Sequence, residues 1–161
     1  MTKYLETDYW GDADYITWSD ENLAMFNLSK NDIQALIELG IPEWVAPNIN
    51  FDHFELETDR LKLGEDREDR DIYMLRGSSR ILVGNDGMLF NSSPENLRKA
   101  LQFYAIMVEK AILIDDEALV ENRIEGTLID EFQEELLKLD PDSLHNSSFW
   151  FNEINRLRSR K

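Results

Sequence analysis

The chain has 161 residues, with 33 acidic and 17 basic side chains, a formal net charge of -16 and no cysteine. Its length fits a single domain over residues 1–161, large enough to bury roughly two thirds of the surface an unfolded chain exposes. The absence of cysteine excludes disulfides, thiolate metal sites, iron–sulfur clusters and cysteine nucleophiles. The charge disfavours nucleic acid and anionic membranes and favours a basic partner. No run of about 18 apolar residues, as a membrane helix needs, and no signal-like apolar stretch occurs, so a cytoplasmic protein is expected.

The first segment, to about residue 28, carries Tyr4, Leu5, Tyr9, Trp10, Tyr15, Ile16, Trp18, Leu23, Met25 and Phe26 without a clean period. It reads as irregular or short extended pieces laid on a core. "SKNDIQALIELGIP" then predicts a short helix. Ser29 with Asp32 resembles an N-terminal cap, and Ile33, Leu36, Ile37 and Leu39 make an apolar face. Gly40 is a left-handed stop, and Pro42 forbids resumption.

Strand-like runs follow: "NFDHFEL", "RLKLG", "DIYMLR" and "RILVG", separated by turn-like "ETD", "EDREDR" and "GSS". Their short spacing predicts antiparallel neighbours, not parallel strands joined by helical crossovers. In "RILVGNDGMLF" the Asn85-Asp86-Gly87 turn predicts a hairpin with a bulge. "EDREDRD" reads as a solvated charged loop.

Beyond the hairpin, Leu97, Leu101, Tyr104, Val108 and Ile112 recur at spacings of four, three, four and four, one apolar stripe on a long helix. Pro94 suits a first helical turn, which makes Ser93 the expected cap, with Ser92 and Glu95 as a competing capping-box register. Asn91 is expected to tie its amide to the backbone of the turn. "LIDEFQEELLKLD" predicts a second helix with Leu128, Phe132, Leu136 and Leu139 on one face, broken at Asp140-Pro141. A last helix is capped by Ser147 or Ser148 and buries Phe149, Trp150, Ile154 and Leu157. A short N-terminal helix, a block of strands and then helices argue for an α+β fold, a central antiparallel sheet with helices on one face.

Chemical motifs are sparse. The glycines match no phosphate-binding loop, so no nucleotide cofactor is expected. Of the two histidines, His53 lies beside Asp52 and near Glu55, but an alternating strand points Asp52 and His53 to opposite faces, which disfavours a metal site. Ser92 and Ser93 follow a strand as an esterase nucleophile does, without its flanking glycines.

"ALIELGIP" at 35–42, "LKLGE" at 61–65, "MLFNSSPENLRKAL" at 88–101 and "LDPDSLHNSSFW" at 139–150 occur in the order in which similar segments stand in the SUKH superfamily of bacterial immunity proteins. The chain resembles the fourth SUKH subfamily most. Gly40, Pro42, Asn91, Ser92, Ser93, Asp140, Pro141 and Trp150 carry the likeness. The resemblance implies a non-catalytic, cofactor-free protein that binds and neutralises a cognate polymorphic toxin, often a nuclease or deaminase.

Such toxins present basic grooves, which an acidic inhibitor can approach and occupy. Eleven acids lie between Asp115 and Asp142 against Arg123 and Lys138. Asp115, Asp116, Glu117 and Glu121, on an expected interhelical loop, are therefore candidate partner contacts. Trp18, Trp44 and Tyr73, each beside acids, are candidate aromatic anchors. A carboxylate-based hydrolase would instead need a pocket holding a carboxylate of shifted pKa, and a regulatory scaffold an exposed apolar patch.

Overall fold

The computed structural model describes residues 14–45 and 48–159; Tyr4, Leu5, Tyr9 and Trp10 lie outside the described residues. The rest of the first segment forms the short pieces expected, strand β1 (Tyr15–Ile16) and helix α1 (Asp20–Leu23). Helix α2 (Lys30–Ile33) opens on a reciprocal cap. Ser29 Oγ accepts the Asp32 N–H and the Asp32 carboxylate accepts the Ser29 N–H, both at 3.1 Å. The second Asp32 oxygen accepts the Glu95 N–H at 3.2 Å, so one buried carboxylate caps two helices.

The helix widens into a π-helix over Gln34–Leu39 and stops at Gly40, whose φ of 78° and ψ of 173° suit only glycine. A Cβ there would lie 2.9 Å from the Ile16 carbonyl oxygen. Strand β2 (Ile41–Pro42) follows and pairs with β1, Tyr15 opposite Pro42. Pro42 thus ends the helix and also sits in a two-stranded ladder, where an edge tolerates its missing N–H.

Strands β3 (Trp44–Val45), β4 (Ile49–Phe51), β5 (Arg60–Glu65), β6 (Asp71–Leu75), β7 (Ile81–Val83) and β8 (Met88–Asn91) form one antiparallel sheet in chain order. Each strand pairs with its sequence neighbour, as the short turns require. β7 and β8 pair as the expected hairpin, but the register shift lies between Ile81 and Leu82, at the end away from the Asn85-Asp86-Gly87 turn and not at the turn itself. Another break lies between Lys62 and Gly64 in the β5–β6 pairing. Gly64 is enforced by close approach: a Cβ would meet the Asn50 carbonyl oxygen at 2.1 Å.

The charged loop is less solvated than expected. Asp66 is buried and accepts the Glu68 N–H at 3.0 Å, the Arg70 N–H at 2.9 Å and Arg70 Nε at 2.9 Å. One carboxylate thereby satisfies two backbone N–H groups of the turn, beside the Asp69 N–H to Asp66 carbonyl and Asp66 N–H to Arg70 carbonyl bonds, both at 3.0 Å.

Helices α3 (Pro94–Ile114), α4 (Gly126–Leu139) and α5 (Phe149–Arg158), with a 3-10 turn over Pro141–Leu144, complete the fold. Leu61, Ile72, Met74, Ile81, Val83 and Phe90 of the sheet share one core with Leu97, Leu101, Tyr104, Phe132, Leu136 and Trp150 of the helices. Ile112 departs from the predicted stripe and is 41 % exposed. At 3.6 residues per turn it lies about 60° around the helix from Leu97, because spacings of four outrun the helical period.

Trp150 is the centre of the aromatic core, with Phe90, Phe132 and Tyr104 ring centroids 5.3, 5.3 and 5.4 Å away. Its indole N–H donates to Asn91 Oδ1 at 3.0 Å, and Asn91 Nδ2 donates to Asp140 Oδ2 at 3.0 Å. Asn91 therefore bridges α5 and the end of α4, not the backbone of its own turn; its side chain is buried, and the donors and acceptors in reach come from those elements. Ser93 caps α3, accepting the Asn96 N–H at 3.1 Å. The competing register is not used, since the Ser92 hydroxyl is committed to Asp140 Oδ1 at 2.6 Å. Ser148 caps α5.

A second buried carboxylate, Glu153, ties α5 to α3 and to the β5–β6 loop. It accepts the Tyr104 hydroxyl at 2.7 Å, and Arg156 and Arg67 lie at 2.6 and 3.1 Å. Burial alone would raise its pKa, but the bonds from Arg156 and Tyr104 outweigh burial and hold it below the usual carboxylate range.

Candidate partner-binding surface

Among the described residues, the three most exposed large apolar side chains, Val120, Leu113 and Ile114, lie at the end of α3 and on the loop that follows it. Leu113 is 82 % exposed, Ile114 and Ile112 are also exposed, and Val120 on the following loop is 84 % exposed. Trp44, on the edge strand β3, is 54 % exposed. It is held in one orientation, its indole N–H donating to Asn48 Oδ1 at 3.0 Å while Asn50 Nδ2 donates to the same oxygen at 3.2 Å. Between Trp44 and the outer face of α3 runs an open apolar cleft of about 410 Å³, lined by Val45, Ala105, Val108, Ile112 and Leu113, with Glu109 as its acidic member.

The loop after α3 is pinned at both ends. Ala118 and Ile124 are buried in the core, and Asn122, at a φ of 52°, donates its amide to the Arg156 carbonyl at 3.1 Å. Arg123 forms a two-pronged pair with Asp115, Nε to Oδ2 at 3.0 Å and Nη2 to Oδ1 at 3.2 Å. The bond from Arg123 and the Glu117 N–H hold the Asp115 carboxyl below its usual range. Asp116, Glu117 and Glu121 point to solvent. The acids form a rim directly continuous with the apolar end of α3.

Of the candidate contacts, Trp44, Asp115, Asp116, Glu117 and Glu121 fall on this end of the molecule; Trp18 and Tyr73 do not. Trp18 is 4 % exposed and belongs to the core, its ring edge-on to His53 at 6.2 Å. Tyr73 is 7 % exposed; its hydroxyl donates to the Gly84 carbonyl at 3.0 Å and the Arg60 guanidinium lies 4.8 Å from its ring centre. Both are structural, because large aromatics beside a sheet are covered by neighbouring elements that composition does not reveal. Ile112, Leu113, Ile114 and Val120 went unassigned to a surface. For the three on α3 the signal is the run "AILI" immediately before "DDE", where apolar residues occupy successive positions and cannot all face inward.

No group of three or more His, Asp or Glu among the described residues is arranged to hold a metal ion. No helix among them is long and apolar enough to cross a membrane. Among the described residues, Asp71, Asp115 and Glu153 are the carboxylates displaced from the usual range, all downward and all beside basic side chains. Compared with protein-family models, curated proteins and solved structures, the chain matches none. The class defined by fold and surface is an α+β protein with an exposed apolar cleft beside an acidic loop.

Proposed function

We propose that the protein is an immunity protein that binds a cognate toxin domain, a nuclease or deaminase with a basic surface, and neutralises it stoichiometrically. The observation that carries this reading is the pairing of the Trp44–Leu113 cleft with the acidic loop Asp115–Glu121. An oriented, half-exposed tryptophan beside a cleft is the kind of anchor on which binding energy concentrates, and carboxylates at the rim select and steer a basic partner. A second copy of this chain would set carboxylate against carboxylate at that rim. The order of the "LGIP", "LKLGE", "FNSSPENL" and "LDPDSL" segments supports the same reading through the resemblance to SUKH proteins.

A regulatory scaffold is the second reading, favoured by the exposed Leu113, Ile114 and Val120 at the end of α3 and on its following loop. Co-expression with the toxin encoded immediately upstream tests the first: the protein protects the cell and co-purifies with the toxin, and Trp44→Ala weakens both. Failure of the wild-type protein to protect or co-purify would falsify it. Salt separates the two readings. An inhibitor steered by its rim associates much more slowly as ionic strength rises, whereas apolar scaffolding changes little.

A further inference from the structure

A second groove lies on the opposite flank of α3. Phe103, Ile106 and Met107 of α3 and Leu128 and Phe132 of α4 make its floor, and its volume is about 230 Å³. Its rim carries Glu131, Glu134 and Glu135, with Lys110 between the helices and Lys138 lying 3.9 Å from Glu135. Lys110 is already engaged by Glu131 at 3.2 Å, and Glu134 has no ion-pair partner among the described residues. The groove is smaller than the ~300 Å³ at which small-molecule pockets begin, so it suits a side chain and not a whole cofactor.

We propose that this groove receives an apolar side chain carried on a basic polypeptide segment, with flanking Lys or Arg on the carboxylate rim. The chain shows the polar half of such a contact within itself: the Arg158 guanidinium docks on the exposed side of α4, 2.7 Å from Asp130 Oδ1 and 2.7 Å from Gln133 Oε1. A second copy is the wrong occupant, because its exposed Leu113, Ile114 and Val120 sit among Asp115, Asp116, Glu117 and Glu121. Like charges would face each other across the rim. The inference stands on the α3–α4 geometry and is independent of the Trp44 cleft and of any toxin.

The test titrates the full chain, labelled at its methyl groups, with a short helical peptide of Leu and Lys, with its counterpart in which Glu replaces Lys, and with octylammonium. The Lys peptide is expected to shift the Ile106, Met107 and Leu128 methyls saturably, and the Glu peptide to leave them unmoved. Combined Glu131→Gln, Glu134→Gln and Glu135→Gln weakens the Lys peptide about tenfold. The control set Glu38→Gln, Glu55→Gln and Asp59→Asn, on exposed positions elsewhere, leaves its affinity unchanged. No shift, shifts centred outside the groove, equal binding of both peptides or equal loss in the two variant sets each overturns the proposal. Binding of octylammonium as tightly as the peptide overturns the assignment to a polypeptide.

Discussion

Ser92 and Asp140 are joined twice across the fold: the Ser92 hydroxyl donates to Asp140 Oδ1 at 2.6 Å, and its backbone N–H donates to Oδ2 at 2.8 Å. With the bond from Asn91, the carboxylate accepts from three donors at the point where β8 hands over to α3. Asp140→Ala leaves buried donors unmet and is expected to cost about 3–5 kcal/mol. Ser93→Ala, which removes only a helix cap, costs about 1 kcal/mol. Urea denaturation midpoints at constant slope measure both. Equal costs would show that Asp140 is not the centre of this junction.

Gly64 lies where β4 passes so close to β5 that a methyl group would meet the Asn50 carbonyl oxygen. Gly64→Ala must part the two strands and is expected to cost about 3 kcal/mol. Amide exchange reads the location of the damage. Protection should fall in β4 and β5 while α4 keeps its own.

Glu153 makes the fold sensitive to acid. Its folded pKa lies below the unfolded value of about 4.3, so its contribution is complete above that pH and is lost as pH falls through the folded value. Glu153→Gln should therefore be less stable than wild type at pH 7, and the difference should shrink as pH falls below about 4. Tyr104 acts at the other end. Burial, then the charge of Glu153, raises its pKa well above the ordinary value, and stability is lost as pH rises beyond about 10. Thermal melts of wild type, Glu153→Gln and Tyr104→Phe across this range test both signs; a Glu153→Gln difference that grows toward low pH would refute the assignment.

Trp44 and Trp18 should separate binding from folding. Trp44→Ala removes a half-exposed ring and is expected to leave stability within about 0.5 kcal/mol while weakening the cognate complex by about 2 kcal/mol or more. Trp18→Ala empties a core site and costs about 3–5 kcal/mol of stability. Calorimetric titration paired with denaturation of each variant decides. The surface assignment fails if Trp44→Ala binds as wild type does.

Much of the architecture was legible locally. Caps at Ser29, Ser93 and Ser148, the stop at Gly40, the break at Asp140-Pro141 and the Asn85-Asp86-Gly87 turn all act through neighbours a few residues away. The α+β order followed from the same signals, since a block of short strands with short turns pairs in sequence order. The candidate surface was legible only in part: the acids after Ile114 were found because an interhelical loop is exposed, and Trp44 because an aromatic stood beside an acid.

By itself the sequence determined the helix ends, the antiparallel meander and the acidic balance, because each depends on interactions within a turn or on composition. Tertiary structure alone decided which aromatics are buried and which are offered. Trp18 packs in the core beside His53, 35 residues on, and Tyr73 is covered by Arg60 of the adjoining strand and by the Gly84 turn, while Trp44 stands exposed on an edge strand. It also decided that Asn91, Ser92, Asp140 and Trp150 form one buried network. The partners in that network are up to 59 residues apart, and a hydrogen bond depends on distance in space, which spacing along the chain does not encode.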